Sequence, residues 1–347
     1  MTTRTRYFVI TSLLVMFVGV GTGLVAYYVG IPAGLAQQTS LEDLKLLPSD
    51  ANLVAYANVR DVMDSELRQK IRQALPISGQ GQQEIADHTG INIENDIDEV
   101  LAAVAPSRSA QMPGALLVVA RGRFDTARIE GLMRQEGAQV EEYKGVRVIV
   151  ASSHTGSVPS TDQTLAFRPT DNFSVAFIAP GLLAIGNQSL TRAAIDQKAS
   201  GTGVTANADL MRLVQSFDGG DAWAVGRFDA LASQARLPDG LAGRLPAITW
   251  FAANAEVDSG VRGMLRADAS DQQAADDLRE VVRGVLAFAR LQSASQPELK
   301  TLLQSLTLGG SGNTVSLAFN VPGEMVDLLG SATGILRNGP KDTPDVR

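Results

Sequence analysis

One stretch near the start of the chain limits every reading of the rest. Arg4 and Arg6 are followed by a run, Tyr7 to Leu41, that contains no Asp, Glu, Lys or Arg. Its apolar heart, Tyr7 to Val29, is 23 residues long. At ~1.5 Å per residue such a helix spans roughly 34 Å, enough to cross a ~30 Å hydrocarbon core. Tyr7, Tyr27 and Tyr28 stand at its two ends, where amphipathic rings settle at a membrane interface. Secretory apolar regions usually run about 7–15 residues, so the length predicts an uncleaved anchor. Gly34-Leu35-Ala36 before Gln37 is a passable small-residue cleavage site, and secretion after cleavage near Ala36 is the alternative. The chain has no cysteine, which removes lipidation at that residue.

The positive-inside rule then sets the orientation. Arg4 and Arg6 hold a stub, residues 1–6, in the cytoplasm, and the first charges past the run are Glu42 and Asp43. The expected location is the inner (cytoplasmic) membrane, single-pass, with an extracytoplasmic, periplasmic body. Setting the two arginines aside leaves 28 basic and 37 acidic residues, a net of −9. That balance argues against a nucleic-acid partner, which a basic footprint would announce. Without cysteine there is no disulfide framework, thiol nucleophile, iron–sulfur ligand or Cys-based zinc site, and His88 and His154 are too few for a three-His metal site. No cofactor is expected.

Beyond a linker, residues 30–49, helical and strand patterns alternate. Leu53 to Val59 reads as a strand, Asp61 to Leu75 as a helix, and Gly79 to Ala105 as two further short helices. Ala115 to Gly122 is a continuous apolar strand. Asp125 is a strong N-cap, with Phe124 placed to staple onto Ile129 and Gly137 at the helix end. Gln139 to Tyr143 and Val146 to Ala151 form a hairpin around Lys144-Gly145. Strands at 164–167, 173–179 and 182–186 and helices at 188–198 and 208–217 complete a first half, 50–205, and open a second, 206–337. In the second half 222–227 reads as a strand and 229–235 as a helix. An antiparallel pair at 248–257 and 261–268 follows, then a long helix at 271–291 behind a Ser270/Gln273 capping box. A hairpin through GGSGN, a last helix from Pro322 and a disordered tail, 338–347, end the chain. This order predicts an α+β fold: two similar halves with antiparallel sheets and packed helices, behind one transmembrane helix. Gly122-Arg-Phe-Asp125 recurs as Gly226-Arg-Phe-Asp229, with Asn58-Val-Arg-Asp61 as a looser copy, which suggests an internal repeat.

Candidate sites are few. Arg123 and Arg227, beside helix N-termini expected at Asp125 and Asp229, could hold an anionic ligand; the plainer reading makes the two aspartates structural caps and the arginines locally paired. Asn92, Glu94, Asp96, Asp98 and Glu99 alternate like a calcium loop. An EF-hand counted from Asn92 would need Gly and Glu where Ile97 and Ala103 stand, so this stretch reads as the acidic first turn of a helix running to Val104. Ser152, Ser153, His154 and Asp162 share a polar loop without a G-x-S-x-G turn. The pairs Glu141/Glu142 and Asp276/Asp277/Glu280 read as acidic surface.

Two short motifs carry a resemblance. Leu47-Pro-Ser-Asp-Ala51 lies between the apolar run and the first strand. Thr89-Gly-Ile-Asn-Ile-Glu-Asn-Asp-Ile-Asp98 forms a T-G-(apolar)-…-D-(apolar)-D element. Together with the anchor they resemble the opening of an uncharacterised bacterial membrane-anchored family of unknown function. The resemblance implies an exported α+β protein and assigns no catalytic residue. The expected function is therefore a non-enzymatic, single-pass cell-envelope protein that binds an envelope protein or small ligand. An exported serine/carboxylate hydrolase and a carrier of a hydrophobic ligand are the alternatives.

Overall fold

The computed structural model describes residues 41–74, 86–87, 89–106, 115–135, 137–151, 173–228, 246–293 and 297–323. The apolar run at 7–29, the predicted strand at 164–167, the predicted helix at 229–235 and all of the last predicted helix beyond Gly323 lie outside these residues. Among them no helix is long and apolar enough to cross a membrane.

The strands are β1 (Leu53–Asn58), β2 (Ile97–Ala105), β3 (Ala115–Gly122), β4 (Gln139–Tyr143), β5 (Val146–Ala151), β6 (Phe173–Ala179), β7 (Leu182–Asn187), β8 (Ala222–Arg227), β9 (Ile248–Val257), β10 (Val261–Ala269), β11 (Thr307–Gly309) and β12 (Thr314–Val321). They form one 12-stranded antiparallel sheet in the order β11-β12-β10-β9-β8-β1-β2-β3-β7-β6-β5-β4. The helices are α1 (Leu41–Leu44), α2 (Val59–Met63), α3 (Glu66–Ala74), α4 (Ile93–Asp96), α5 (Thr126–Gln135), α6 (Gln188–Ser200), α7 (Ala208–Phe217), α8 (Gln272–Gln292) and α9 (Pro297–Ser305). They pack on both faces of the sheet, an α+β architecture.

Residues opposite one another in an antiparallel pair share a face. On one face Val54, Tyr56, Leu101, Val119, Ala184 and Trp223 pack against α6 and α7. On the other, two clusters are separate: one under α2, α4 and α5 with Ile129, Val100 and Leu183, the other under α8 and α9 with Leu278, Val282 and Leu317. Between them the sheet is paved with Ala55, Ala57, Ala102, Ala224, Ala253 and Ala255.

Several local expectations change. Residues 97–105 form β2, not the end of a helix: Asn92 caps the single turn of α4, accepting from the Asn95 N–H, and the chain extends at Ile97. Alanine-rich Val100–Ala105 suits a helix in isolation, and pairing with β1 and β3 on both edges overrides that propensity. The helix expected from Asp61 to Leu75 is two helices, because Ser65 turns the chain: its hydroxyl donates to the Val62 carbonyl and accepts from the Arg68 N–H. The cap of α8 is Asp271, whose carboxylate accepts from the Ala274 N–H, while the Ser270 hydroxyl donates to Asp271. Residues 41–47, within the stretch read as linker, are packed: Leu44, Leu46 and Leu47 are buried, and the Val204 N–H donates to the Leu47 carbonyl.

The hairpin at Lys144-Gly145 is as expected, with φ of 49° and 79° at the two turn residues. A two-residue turn with both φ positive matches the right-handed twist of its strands. Asp125 caps α5, accepting from the Arg128 N–H at 3.0 Å.

Candidate functional site

Strand direction places the two motif arginines apart. β3 runs antiparallel to β2, β2 to β1, and β1 to β8, so β3 and β8 end at opposite edges. Arg123 follows the end at which Gly122 faces Ile97, and Arg227 lies at the end at which Gly226 faces Leu53. Taking ~3.3 Å per residue, the rise from Leu53 to Asn58 alone separates them by about 17 Å. No single cleft holds both. Arg123 donates to the Asn95 carbonyl at 2.7 Å and lies 3.6 Å from the Asp98 carboxylate, a local clamp on the α4–β2 turn. Arg227 lines an open cavity of about 450 Å³ with Ile248, Thr249 and Trp250. Asp229, His88, His154, Ser152, Ser153 and Asp162 lie outside the described residues.

Several of the other acidic candidates are engaged locally. Asp98 holds Arg60 at 2.5 Å, Glu94 pairs with Arg68, Glu141 with Arg192, Asp276 with Arg279 and Glu280 with Arg283. Among the described residues no group of three or more acidic or His side chains is spaced to hold a metal ion.

Register assembles a cluster that reading along the chain misses. At one end of the central strands Asn58 of β1 faces Glu99 of β2, and Glu99 faces Arg121 of β3. Asp221, just before β8, completes the row: the Asn58 N–H donates to its carbonyl at 2.8 Å, and its carboxylate accepts from the Val257 N–H at 2.7 Å. Asp61, in the first turn of α2, joins through a reciprocal cap. The Asn58 amide donates to its carboxylate at 2.8 Å, and the Asp61 N–H donates back to Asn58 at 3.2 Å. Beneath the row lies Tyr56, 1% exposed and stacked on Trp223 with ring centroids 5.9 Å apart. Arg121 is held by Asp43 of α1 through contacts of 2.6, 2.7 and 2.9 Å.

The electrostatics of this row are unbalanced. Burial pushes the Asp61 carboxyl up to about 6, with the Asp221, Asp64 and Glu99 carboxylates adding to the rise and the Asn58 amide opposing it. Glu99 is raised by burial, against the pull of Arg121. Asp221 is also raised by burial, against the bond from Val257. The Tyr56 phenol is pushed well above its ordinary value by burial first and then by Glu99, Asp61 and Asp221. A carboxyl whose pKa is higher folded than unfolded binds protons more tightly in the native state, so its contribution to stability falls as pH rises from about 4 through 6. The thermal midpoint should therefore rise as pH is lowered from 7.5 to 5, and Asp61→Asn should flatten that rise. Calorimetry across this range checks it; a midpoint that falls, or an unchanged slope in the variant, contradicts the assignment.

The sequence does carry a trace of this cluster: Asn58, Glu99, Arg121 and Asp221 each stand at the border of an apolar run. What it lacks is the register that sets them side by side.

No family model matches the chain, and no curated protein matches it. Among solved structures it is similar to crystal form I of TP0453, at 12% identity over 85% of this chain and 97% of that one, with a TM-score of 0.44. A second likeness, to aspartate kinase from Synechocystis, has 10% identity over 88% of this chain and 58% of that one, with a TM-score of 0.15. At these scores neither likeness assigns a function.

Proposed function

We propose that this chain is a non-enzymatic cell-envelope protein, anchored in the cytoplasmic membrane through residues 7–29 and holding an extracytoplasmic body that binds an envelope ligand or partner. The observation that carries the reading is how the chain enters that body. Directly after the apolar run and its short connection, α1 is pinned by the Asp43–Arg121 pair, and Leu44, Leu46 and Leu47 are buried against the helix-covered face of the central strands. The tether is thus part of the core, and a membrane anchor there positions the body rather than trailing from it.

We also infer that the body consists of two related halves, 50–205 and 206–337. Outward from the β1–β8 pair the order is β1-β2-β3-β7-β6-β5-β4 on one side and β8-β9-β10-β12-β11 on the other, so the first series carries two further strands, β5 and β4, at its edge. The third strand of each series is followed by a helix on the same face, α5 and α8. Each series carries a register irregularity near the same end of its second pair, at Ile97/Glu99 and at Asp268/Ala269. On this alignment the counterpart of Gly226–Asp229 is Asn58–Asp61 at the end of β1, and Gly122–Asp125 is a separate strand exit.

Reporter fusions and mass spectrometry test the membrane reading. A C-terminal alkaline phosphatase should be active, a C-terminal fluorescent protein dark, and the membrane-fraction protein should retain residues 1–36. An inactive phosphatase beside a fluorescent fusion would sink it, and a soluble chain beginning near Gln37 would replace the anchor with secretion.

A further inference from the structure

We propose that the uncovered part of the sheet beside α7 is a binding site for an acidic saccharide, with the sugar ring stacked on Trp250. The proposal names a ligand class for the binding role given above and rests on that role, not on the membrane anchor. Register builds the site. Arg227 of β8 faces Trp250 of β9, Trp250 faces Asp268 of β10, and Asp268 faces Thr314 of β12, so the four stand in one cross-strand row. Trp250 packs against the core under α6 and α7. Past α7 no described helix covers this face: α8 and α9 pack on the opposite one, and Met264, on the same side of β10 as Asp268, is 39% exposed.

Two cavities meet at Trp250. One, of about 130 Å³, lies between the indole, Asp209, Arg212 and Ser216 of α7, and Arg266 and Asp268 of β10. The other is the open cavity of about 450 Å³ that Arg227 borders. The second falls within the ~300–1,000 Å³ usual for small-molecule sites. Between α7 and β10 the polar groups are ordered in advance. Asp268 accepts two bonds from Arg266, at 2.8 and 3.0 Å, and a third from the Thr314 hydroxyl at 2.7 Å. The two side chains of the pair are 29% and 21% exposed. Among the described residues the Nη1 hydrogens of Arg266 make no bond.

These groups match a saccharide in three ways. The face of an indole is electron-rich and suits the polarised C–H face of a pyranose. Sugar hydroxyls both donate and accept, and the Arg266–Asp268 fork offers N–H donors and carboxylate lone pairs in one plane. A phosphate ligand would bring no donor for Asp209 and Asp268, and a hydrocarbon would strip water from both without replacing it. Three arginines and two aspartates border the two cavities, in a body whose net charge is −9. That local excess of positive charge selects a sugar with a carboxylate, and Arg227 is its partner. Two strand spacings of ~4.8 Å put Arg227 about 10 Å from Asp268, with the indole between them.

The test uses the full-length protein in a zwitterionic detergent without a sugar headgroup. Saturation-transfer NMR titrations are read with glucuronate, with glucose and with cyclohexanecarboxylate, which keeps the ring and the charge and lacks the hydroxyls. Glucuronate should bind saturably. Glucose should bind about tenfold more weakly, the equivalent of one charge-assisted hydrogen bond, and cyclohexanecarboxylate should show no saturable transfer. Trp250→Ala should abolish saturation by glucuronate. Arg227→Gln changes an exposed side chain, serves if Trp250→Ala does not fold, and should bring glucuronate down to the level of glucose. Equal binding of glucuronate and cyclohexanecarboxylate, equal binding of glucuronate and glucose, binding unchanged in both variants, or no saturable transfer in the parent overturns the site. None of these outcomes touches the reporter fusions, so the membrane reading stands or falls separately.

Discussion

Trp223→Ala should cost about 3–5 kcal/mol of folding stability, the range for removing a fully enclosed large aromatic side chain. Trp223 is 2% exposed and stacks on Tyr56 across the β1–β8 pair with an interplanar angle of 25°. The contact matters beyond its area because β1 and β8 form the seam between the two strand series. Above it lies α7, with Leu210, Met211 and Val214 in the same cluster, so the space left by the indole opens under a helix as well as across the sheet. The chain has two tryptophans, and the variant retains Trp250 as a fluorescence reporter for denaturant titration. Trp250 is only partly buried and borders two cavities, so Trp250→Ala should cost less than half as much. A loss below 1 kcal/mol for Trp223→Ala, or a larger loss for Trp250→Ala, would show that the seam does not depend on this stack.

The elements legible in the sequence are those whose signals are local. β3 declares itself as an unbroken apolar run, α5 by the Asp125 cap and its apolar stripe, and the β4–β5 hairpin by Lys144-Gly145. β2 is the instructive miss. Its Val-Leu-Ala-Ala-Val-Ala core suits either state, and acidic residues before it resemble a helix start; only the partners on both edges make it a strand. That one misreading hid the cluster, because Glu99 set in a helical turn faces neither Asn58 nor Arg121. Asp43 and Asp221 are 178 positions apart, and no spacing rule connects them. Pairing of β8 to β1, β1 to β2 and β2 to β3 does. The repeated Gly-Arg-Phe-Asp was visible, but its cause was not: each copy stands where a strand leaves the sheet beside a crossing backbone.

Gly122→Ala should be the sharpest test of that cause, with an expected loss of about 3 kcal/mol, at the upper end for overpacking. A methyl group at Gly122 would stand 1.9 Å from the Asp96 carbonyl oxygen and 2.9 Å from the Ile97 Cα. Both are backbone atoms of the α4–β2 turn, fixed by the Arg123 N–H bond to that same carbonyl at 2.7 Å, so nothing flexible can yield. Gly226 meets the Asn52 carbonyl oxygen at 2.7 Å and the Phe251 ring at 3.0 Å. The ring can turn aside, and Gly226→Ala should lose about half as much. Gly131, in α5, has nothing within 4 Å of an added methyl, and Gly131→Ala should gain about 0.5–1 kcal/mol from helix propensity. Denaturant midpoints of the three variants give the ranking. If these motif glycines served instead to let a ligand approach the backbone, Gly122→Ala and Gly226→Ala would leave the midpoint unchanged. A ranking with Gly131 lowest and Gly122 highest in cost therefore ties the recurrence to strand-exit packing, and equal midpoints for all three would break that tie.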